Sequence, residues 1–260
     1  MYLTIAKYWI ISFISCKNQE VLMNTLPKHD ITASFWEMAD MLKDKEKYRI
    51  DKNLRYLALA PLSTLKKVFI QYRFFTHFYI TDLSILISKL PLGEMRSILA
   101  EILAEELGDG KAEHSHPELY DNFLKSLGIN DDTLLKTPDP FCLKNLTSIQ
   151  QHLIEKPWAY GVGLRGMGGE CLCQIYLSTM HEYFSKNPQI QRLKNQIDWK
   201  FWEIHIGEID LHHQVLIRNA LNHLIQKYPE VTDDLVYGYR ESKEAWDEYW
   251  ERIFMLASNP

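Results

Sequence analysis

The sequence predicts an all-α protein built as one compact helical domain. Apolar residues recur at helical spacing along most of the 260 residues, as in Phe35, Met38, Ala39 and Leu42, which follow an i, i+3, i+4, i+7 pattern. No segment shows the alternation of apolar and polar residues that is typical of a half-buried strand between turns. No internal repeat divides the chain, and its length allows a sizeable core.

Helix boundaries can be placed from the residues that start or break helices. Pro61 suits the first turn of a long apolar helix, where its missing N–H costs nothing, and Gly108 and Gly110 suit a helix end. Residues 1–28 are expected to form an N-terminal extension or extra helix, unless Met23 is the true start, and residues 29–260 form the helical domain. The predicted helices span residues 32–45, 61–90, 93–107, 116–127, 141–156, 158–185, 188–228 with a break near Asp198, and 232–255.

Charge and cysteine content restrict the partners and the compartment. The net charge of −5, with no run of Lys or Arg, argues against nucleic acid. The apolar start, residues 1–16, is interrupted by Lys7 and too short to span a membrane, so no membrane partner is expected. The four cysteines form no CxxC pair, which favours reduced thiols in the cytoplasm. We expect a small-molecule substrate as the partner, and a homodimer is left open.

The first candidate cluster lies around two glycines. Glu105 and Glu106 end an apolar helix, where an acidic side chain is unfavourable because the helix C-terminus already carries partial negative charge. A cation is one way to compensate this charge. The glycines allow a tight reversal, which would bring His116, at the start of the next helix, back over Glu105. A solvated acidic helix end explains the same residues without a metal.

The second candidate is a lone acidic residue in an apolar helix. Glu170 follows two glycines and precedes Cys, Leu, Cys and Ile. A charge on a buried face costs several kcal/mol unless it is paired or binds a metal. The glycines leave room for another group to approach closely. An ion pair with Arg165 or Arg192 is the structural alternative, and we favour a functional role.

The third cluster is the most informative, with three histidines and three acids between residues 203 and 213. On a continuous helix His205, Glu208 and His212 share one face, and Asp210 and His213 lie on a neighbouring face. Imidazole and carboxylate groups together suit Fe(II), Mn or Zn. The flanking residues are too apolar for an exposed helix, which favours metal binding over a polar surface helix.

Clusters on separate helices build di-iron carboxylate sites when their ligands project into the core of a bundle. The paired E-x-x-H motifs of the ferritin type are absent, and so are the G-x-S-x-G, P-loop and H-E-x-x-H motifs. Several residues of the long helix are candidates for lining a substrate pocket, although ordinary core packing explains most of them. These residues are Tyr72, Phe74, Phe75, His77, Phe78 and Tyr79.

The order of these motifs resembles that of the heme-oxygenase-like di-iron oxidases and oxygenases, relatives of pyrroloquinoline-quinone synthase and thiaminase II. E-E-x-G-x-G is followed by H-P-E-L and F-L-x-x-L-G, then by a Glu in a Gly-rich helix and by H…D-x-x-H, over residues 35–249. The resemblance implies a bundle of about seven core helices. It also implies two Fe(II) ions, with Mn as an option, and O2 as co-substrate. The implied metal ligands are Glu105, His116, Glu170, His205, Asp210 and His213.

One spacing departs from the family pattern. The family places the upstream His four residues before the Asp, whereas His205 and Asp210 are five positions apart. A one-residue π-bulge would restore the geometry. Otherwise Glu208 and His212 coordinate together with His205, and the sequence leaves both ligand sets open.

The resemblance implies a non-heme di-iron, O2-activating oxidase or oxygenase that acts on a small organic substrate related to an amino acid, an amine or a fatty acid. Two other functions remain open. One is a metal-free enzyme like thiaminase or the quinone synthase, with Cys171 or Cys173 as the nucleophile. The other is a non-catalytic helical interaction protein.

Overall fold

The computed structural model describes residues 28–134, 136–206 and 208–258, without the side chains of residues 28–30, 48, 208–211, 257 and 258. Residues 1–27 of the predicted N-terminal extension lie outside the described residues. Over the described ranges the chain is helical and contains no strand, so the predicted all-α fold is confirmed. None of these helices combines the length and the apolar character needed to cross a membrane.

The described part of the chain contains twelve α-helices and three short 3-10 helices, and a π-helical segment, Val162–Met167, joins the seventh α-helix to the eighth without a break. In chain order they are α1 Lys28–Leu54, α2 Leu62–Lys89, α3 Glu94–Glu106, α4 His116–Ser126, α5 Asp131–Leu134, α6 Pro140–Glu155, α7 Trp158–Gly161, α8 Gly168–Ser185, α9 Pro188–Leu193, α10 Lys200–His205, α11 Glu208–Lys227 and α12 Thr232–Ser258.

Most predicted boundaries lie within a few residues of the observed ones, and three differ. Helix α1 extends beyond the predicted residues 32–45 at both ends, and the predicted loop at 130–140 contains the short helix α5. The segment predicted at 188–228 breaks near Asp198, as expected, and again after His205. The second break separates α10 from α11 within the third candidate cluster.

Helix α2 forms the centre of the bundle. It packs against α3, α4, α6 and α12, and its buried residues recur every three or four positions, from Leu65 through Phe69, Tyr72 and Tyr79 to Leu86. Burying each large apolar side chain contributes roughly 1.5–3 kcal/mol. Along the middle of this face, from Phe69 to Tyr79, α2 presents aromatic residues to the interior.

Two glycines bring the π-helical segment and α12 into backbone contact. A Cβ on Gly163 would lie 2.8 Å from the Tyr239 nitrogen, and a Cβ on Gly238 would lie 2.9 Å from the Leu164 nitrogen. Neither position has room for a side chain. The close crossing holds the π-helical segment in place, and that segment leads directly into the part of α8 that carries Glu170.

Candidate metal centre

The turn after α3 places the first two functional side chains together. Gly108 has φ +83°, and a Cβ there would lie 2.6 Å from the Ser115 nitrogen, so the reversal requires glycine. It returns the chain so that His116 Nδ1 lies 2.9 Å from Glu106 Oε2. The predicted reversal is therefore present, but His116 meets Glu106 rather than Glu105.

His205 joins this pair from the end of α10. Its Nδ1 lies 2.6 Å from the Phe201 carbonyl oxygen, which only accepts hydrogen bonds, so Nδ1 carries the proton and Nε2 keeps its lone pair. Burial, followed by the charge of His116, lowers the pKa of His205 to about 4, and the ring is neutral at pH 7. Ligand atoms of Glu106, His116 and His205 all lie within 4.8 Å of one another.

A second group forms around His213 on α11. His213 Nε2 lies 2.8 Å from Glu105 Oε2, and Nδ1 lies 3.3 Å from Glu170 Oε2. Burial alone lowers the pKa of His213, but the hydrogen bonds and charges of Glu170 and Glu105 outweigh it and raise the pKa to about 9. In the absence of a metal His213 is therefore an imidazolium that donates to Glu105 and forms an ion pair with Glu170.

Glu170 is buried and is held by a phenol. The hydroxyl of Tyr79 on α2 donates a hydrogen bond to Glu170 Oε1. Burial, followed by the charge of Glu170, raises the pKa of Tyr79 well above its usual value, so the phenol keeps its proton. Arg165, one of the ion-pair partners considered from the sequence, binds Asp82 instead, at 2.6 Å. Glu170 is thus bonded to Tyr79 and His213.

A small cavity of about 30 Å³, with room for one or two water-sized groups, lies at these residues. It is lined by Glu106, His116 and His205 of the first group and by Glu170 of the second. The other lining residues are mostly aromatic and include three of the six candidates on α2. The full lining beyond the four named is Tyr72, Phe75, Thr76, Tyr79, Gly169, Cys173 and Phe201.

Five of the six ligands implied by the resemblance come together here, namely Glu105, His116, Glu170, His205 and His213. The sixth, Asp210, belongs to α11, but its side chain lies outside the described residues, as does that of Glu208.

The alternative ligand set is not supported at His212. This residue is exposed, whereas His213 is buried, with 4% of its surface accessible. Residues 205, 208 and 212 share one face only if they belong to one continuous helix. The structure has a break between α10 and α11, so this prediction of a shared face does not apply.

Glu106 was not among the ligands predicted from the sequence, although it is the carboxylate that lies beside His116. It stands beside Glu105 in the same motif, and both side chains lie at the end of α3. Successive helical residues point about 100° apart, so the motif marks the place but does not show which carboxylate faces which histidine.

The donor set suits a transition metal. Within the described residues, Glu105, Glu106 and Glu170 form ion pairs with histidines and with no Lys or Arg. Glu105 and Glu170 share the single positive charge of His213, which offsets their two negative charges only in part, and a bound metal ion would supply the rest. Mixed imidazole and carboxylate donors fit Fe(II) or Mn(II). The residues present therefore fit an iron centre.

Comparison with known families agrees with this chemistry. The sequence profile of a family described as iron-containing redox enzymes matches residues 66–247, from α2 into α12. The chain belongs to the iron-containing redox enzyme family. The match includes both residue groups around the cavity. Among the curated proteins no match is found.

Solved structures share the fold at low sequence identity. A CADD-like protein of unknown function from Nostoc punctiforme is 19% identical, with a TM-score of 0.68 over 86% of this chain and 99% of its own. A TenA homolog from Pseudomonas syringae pv. tomato is 11% identical, with a TM-score of 0.68 over 89% and 98%. A domain of unknown function with a heme oxygenase-like fold from Shewanella denitrificans is 14% identical, with a TM-score of 0.59 over 89% and 94%. The predicted heme-oxygenase-like fold is confirmed.

Proposed function

We propose that this protein is a non-heme di-iron enzyme that activates O2 and oxidises a small organic substrate. The observation that carries the proposal is the convergence of ligand atoms from Glu106, His116 and His205 within 4.8 Å, beside the Glu105–His213–Glu170 group. Iron is supported by the family, and the substrate class is an inference from the chemistry of such centres.

In this proposal each residue group holds one metal ion, with Mn(II) as the alternative to Fe(II). Glu106, His116 and His205 form the first position, and Glu105, Glu170 and His213 form the second. Asp210, three residues before His213 on α11, completes the proposed ligand set. Because Glu170 of the second group lines the same cavity as Glu106, His116 and His205, the two ions would lie at a single site.

When bound, two Fe(II) ions would supply the electrons that reduce O2. The chain's own residues prepare the site for them. The carbonyl of Phe201 fixes the tautomer of His205, which leaves Nε2 to bind a cation. His213 must release its proton before it can serve as a ligand, so metal binding at the second position releases protons. The aromatic wall of the cavity restricts bulk water.

A direct test uses two neighbouring histidines of α11. Protein loaded with Fe(II) under argon should consume O2 when it is admitted, as measured with an oxygen electrode and by transient visible absorption. His213→Ala should lower O2 uptake at least ~10-fold, because it removes a donor from the centre. His212→Ala is the matched control, since His212 is exposed, and should behave as wild type. No O2 uptake by the wild type, or full uptake by His213→Ala, would contradict the proposal.

A second candidate function, a metal-free enzyme with a nucleophilic thiol, is favoured by one observation. Cys173 borders the cavity, and its Sγ lies 3.7 Å from the Tyr72 hydroxyl oxygen. Cys171 does not suit this role, because burial raises the pKa of its thiol to about 12 and keeps it protonated. In this function Cys173 would attack the substrate and no metal would be needed.

A further inference from the structure

We infer that Tyr79 is a positioning residue for Glu170. Its hydroxyl occupies one oxygen of the Glu170 carboxylate and leaves the other oxygen for the metal ion at the second position. The inference rests on the proposed function, because it concerns one of the two metal positions proposed above. It assigns a role to a residue whose place in the apolar stripe of α2 otherwise indicates core packing.

The two oxygens of Glu170 have different partners. Tyr79 donates to Oε1, while Oε2 lies 3.3 Å from His213 Nδ1. Both Tyr79 and Glu170 are more than nine-tenths buried, so neither exchanges its partner freely with bulk water. The carboxylate is therefore held in one orientation, with Oε2 turned toward the other ligands of the second position.

A glycine makes this contact sterically feasible. A Cβ on Gly169 would lie 2.5 Å from the Tyr79 hydroxyl oxygen and 2.6 Å from Cε2 of its ring. Any side chain at 169 would displace the phenol from Glu170. Because residue 169 is a glycine, the phenol of Tyr79 can lie against the backbone next to Glu170, whose carboxylate it binds.

The ring of Tyr79 is itself fixed by its neighbours. It stacks on Phe75 with a centroid distance of 6.2 Å and an interplanar angle of 12°. The guanidinium of Arg165 lies 5.8 Å from the ring centroid, and a buried ion pair with Asp82 anchors that guanidinium. A phenol held on two sides in this way is suited to orienting a ligand rather than to moving during a reaction.

The contact is selective for one of the two groups. Among the described contacts, the hydroxyl of Tyr79 bonds to Glu170, and no bond joins it to Glu106, His116 or His205. Loss of the hydroxyl should therefore weaken metal binding at the second position and leave the first position nearly unchanged. A general loss of stability would weaken both positions together.

The chain offers a matched control for the loss of a buried phenol. Tyr176 donates to Glu46 Oε1 at 2.6 Å, and both residues are buried. Neither lines the cavity. Tyr176→Phe therefore removes the same hydroxyl from a buried carboxylate without touching the proposed metal positions.

The experiment is an anaerobic Mn(II) titration of the full chain, followed by electron paramagnetic resonance, with chemical unfolding measured in parallel. Wild type should bind two Mn(II) per chain. Tyr79→Phe should bind one as tightly as wild type and the other about 10- to 100-fold more weakly, with loss of the signal from coupled ion pairs at limiting Mn(II). Tyr176→Phe should bind both ions as wild type does.

The outcomes separate the inference from the proposed function. If wild type binds two ions and Tyr79→Phe matches it at both positions, or loses both equally, the inference is overturned. If wild type binds neither Mn(II) nor Fe(II), the proposed function itself fails. Should Tyr79→Phe not fold, Gly169→Ala displaces the phenol and must show the same selective loss of one position.

Discussion

At the scale of single residues, the centre is assembled from neighbouring side chains that face different partners. Glu105 contacts His213, whereas Glu106 contacts His116. Adjacent helical residues project about 100° apart, so one helix end can supply a carboxylate to each of two groups.

The role of the cavity thiol can be tested by a small substitution. Cys173→Ala should keep Fe(II) binding and O2 uptake within about twofold of wild type, since the proposed ligands are carboxylates and imidazoles. A strong chelator should abolish O2 uptake. Cys142→Ala is the matched control, because Cys142 is buried and does not line the cavity.

The opposite result would favour the thiol enzyme. Turnover of a thiaminase-type substrate in the presence of chelator, lost in Cys173→Ala and kept in Cys142→Ala, would replace the di-iron account with a metal-free one.

The sequence predicted residues of the candidate site but not all of their contacts. The cost of burying a charge pointed to Glu170, which is buried. The helix-end argument pointed to Glu105 and passed over Glu106. Tyr79 was considered only as pocket lining, because a phenol within an apolar stripe has the same sequence pattern as core packing.

At the scale of secondary-structure elements, the reversal between α3 and α4 determines where Glu106 and His116 lie. Two glycines of this turn, Gly108 and Gly110, both have φ +83°. Only Gly108 is also crowded, since no atom lies within 4 Å of a Cβ on Gly110. Substitutions at Gly110 and Gly108 can therefore distinguish the cost of the left-handed backbone alone from the added cost of a steric clash.

Alanine substitutions at these glycines should differ in degree. Gly110→Ala should lower the free energy of unfolding by about 1–2 kcal/mol, through the left-handed backbone alone. Gly108→Ala should cost more, because the new Cβ must also displace the chain near Ser115. Urea unfolding measures both costs. Fe(II) affinity should fall in Gly108→Ala and stay near wild type in Gly110→Ala, and equal effects on affinity would contradict the role given to this turn.

Helix ends at prolines and glycines were predictable, and irregular helix interiors were not. The turn at Gly108 follows from its glycines. The break near Asp198 was also predicted, although no proline or glycine stands there. The π-helical segment before Glu170 contains Gly163 and Gly166, but glycines in a helical run do not by themselves distinguish a π-helix from an α-helix. The break after His205 does carry a glycine in the sequence, Gly207 directly after the cap residue Ile206, but the prediction treated residues 203–213 as one continuous helix.

At the scale of the whole molecule, the bundle brings together residues that are far apart in the chain. Glu105 and His213 are separated by 108 positions, and Tyr79 and Glu170 by 91. Helical periodicity gives each helix a buried face but does not say which faces meet. The convergence was therefore expected from the resemblance, and the family and fold comparisons confirm that relationship without naming a substrate.

The most direct test of the central claim is the iron content of the protein after anaerobic Fe(II) loading and removal of free metal. We expect two iron ions per chain in wild type and in the control variant Glu101→Gln, which changes an exposed residue of the same helix. We expect about one in Glu106→Gln, which removes a carboxylate donor from the first position. A wild type that retains no iron, or a Glu106→Gln variant that retains two, would contradict the central claim.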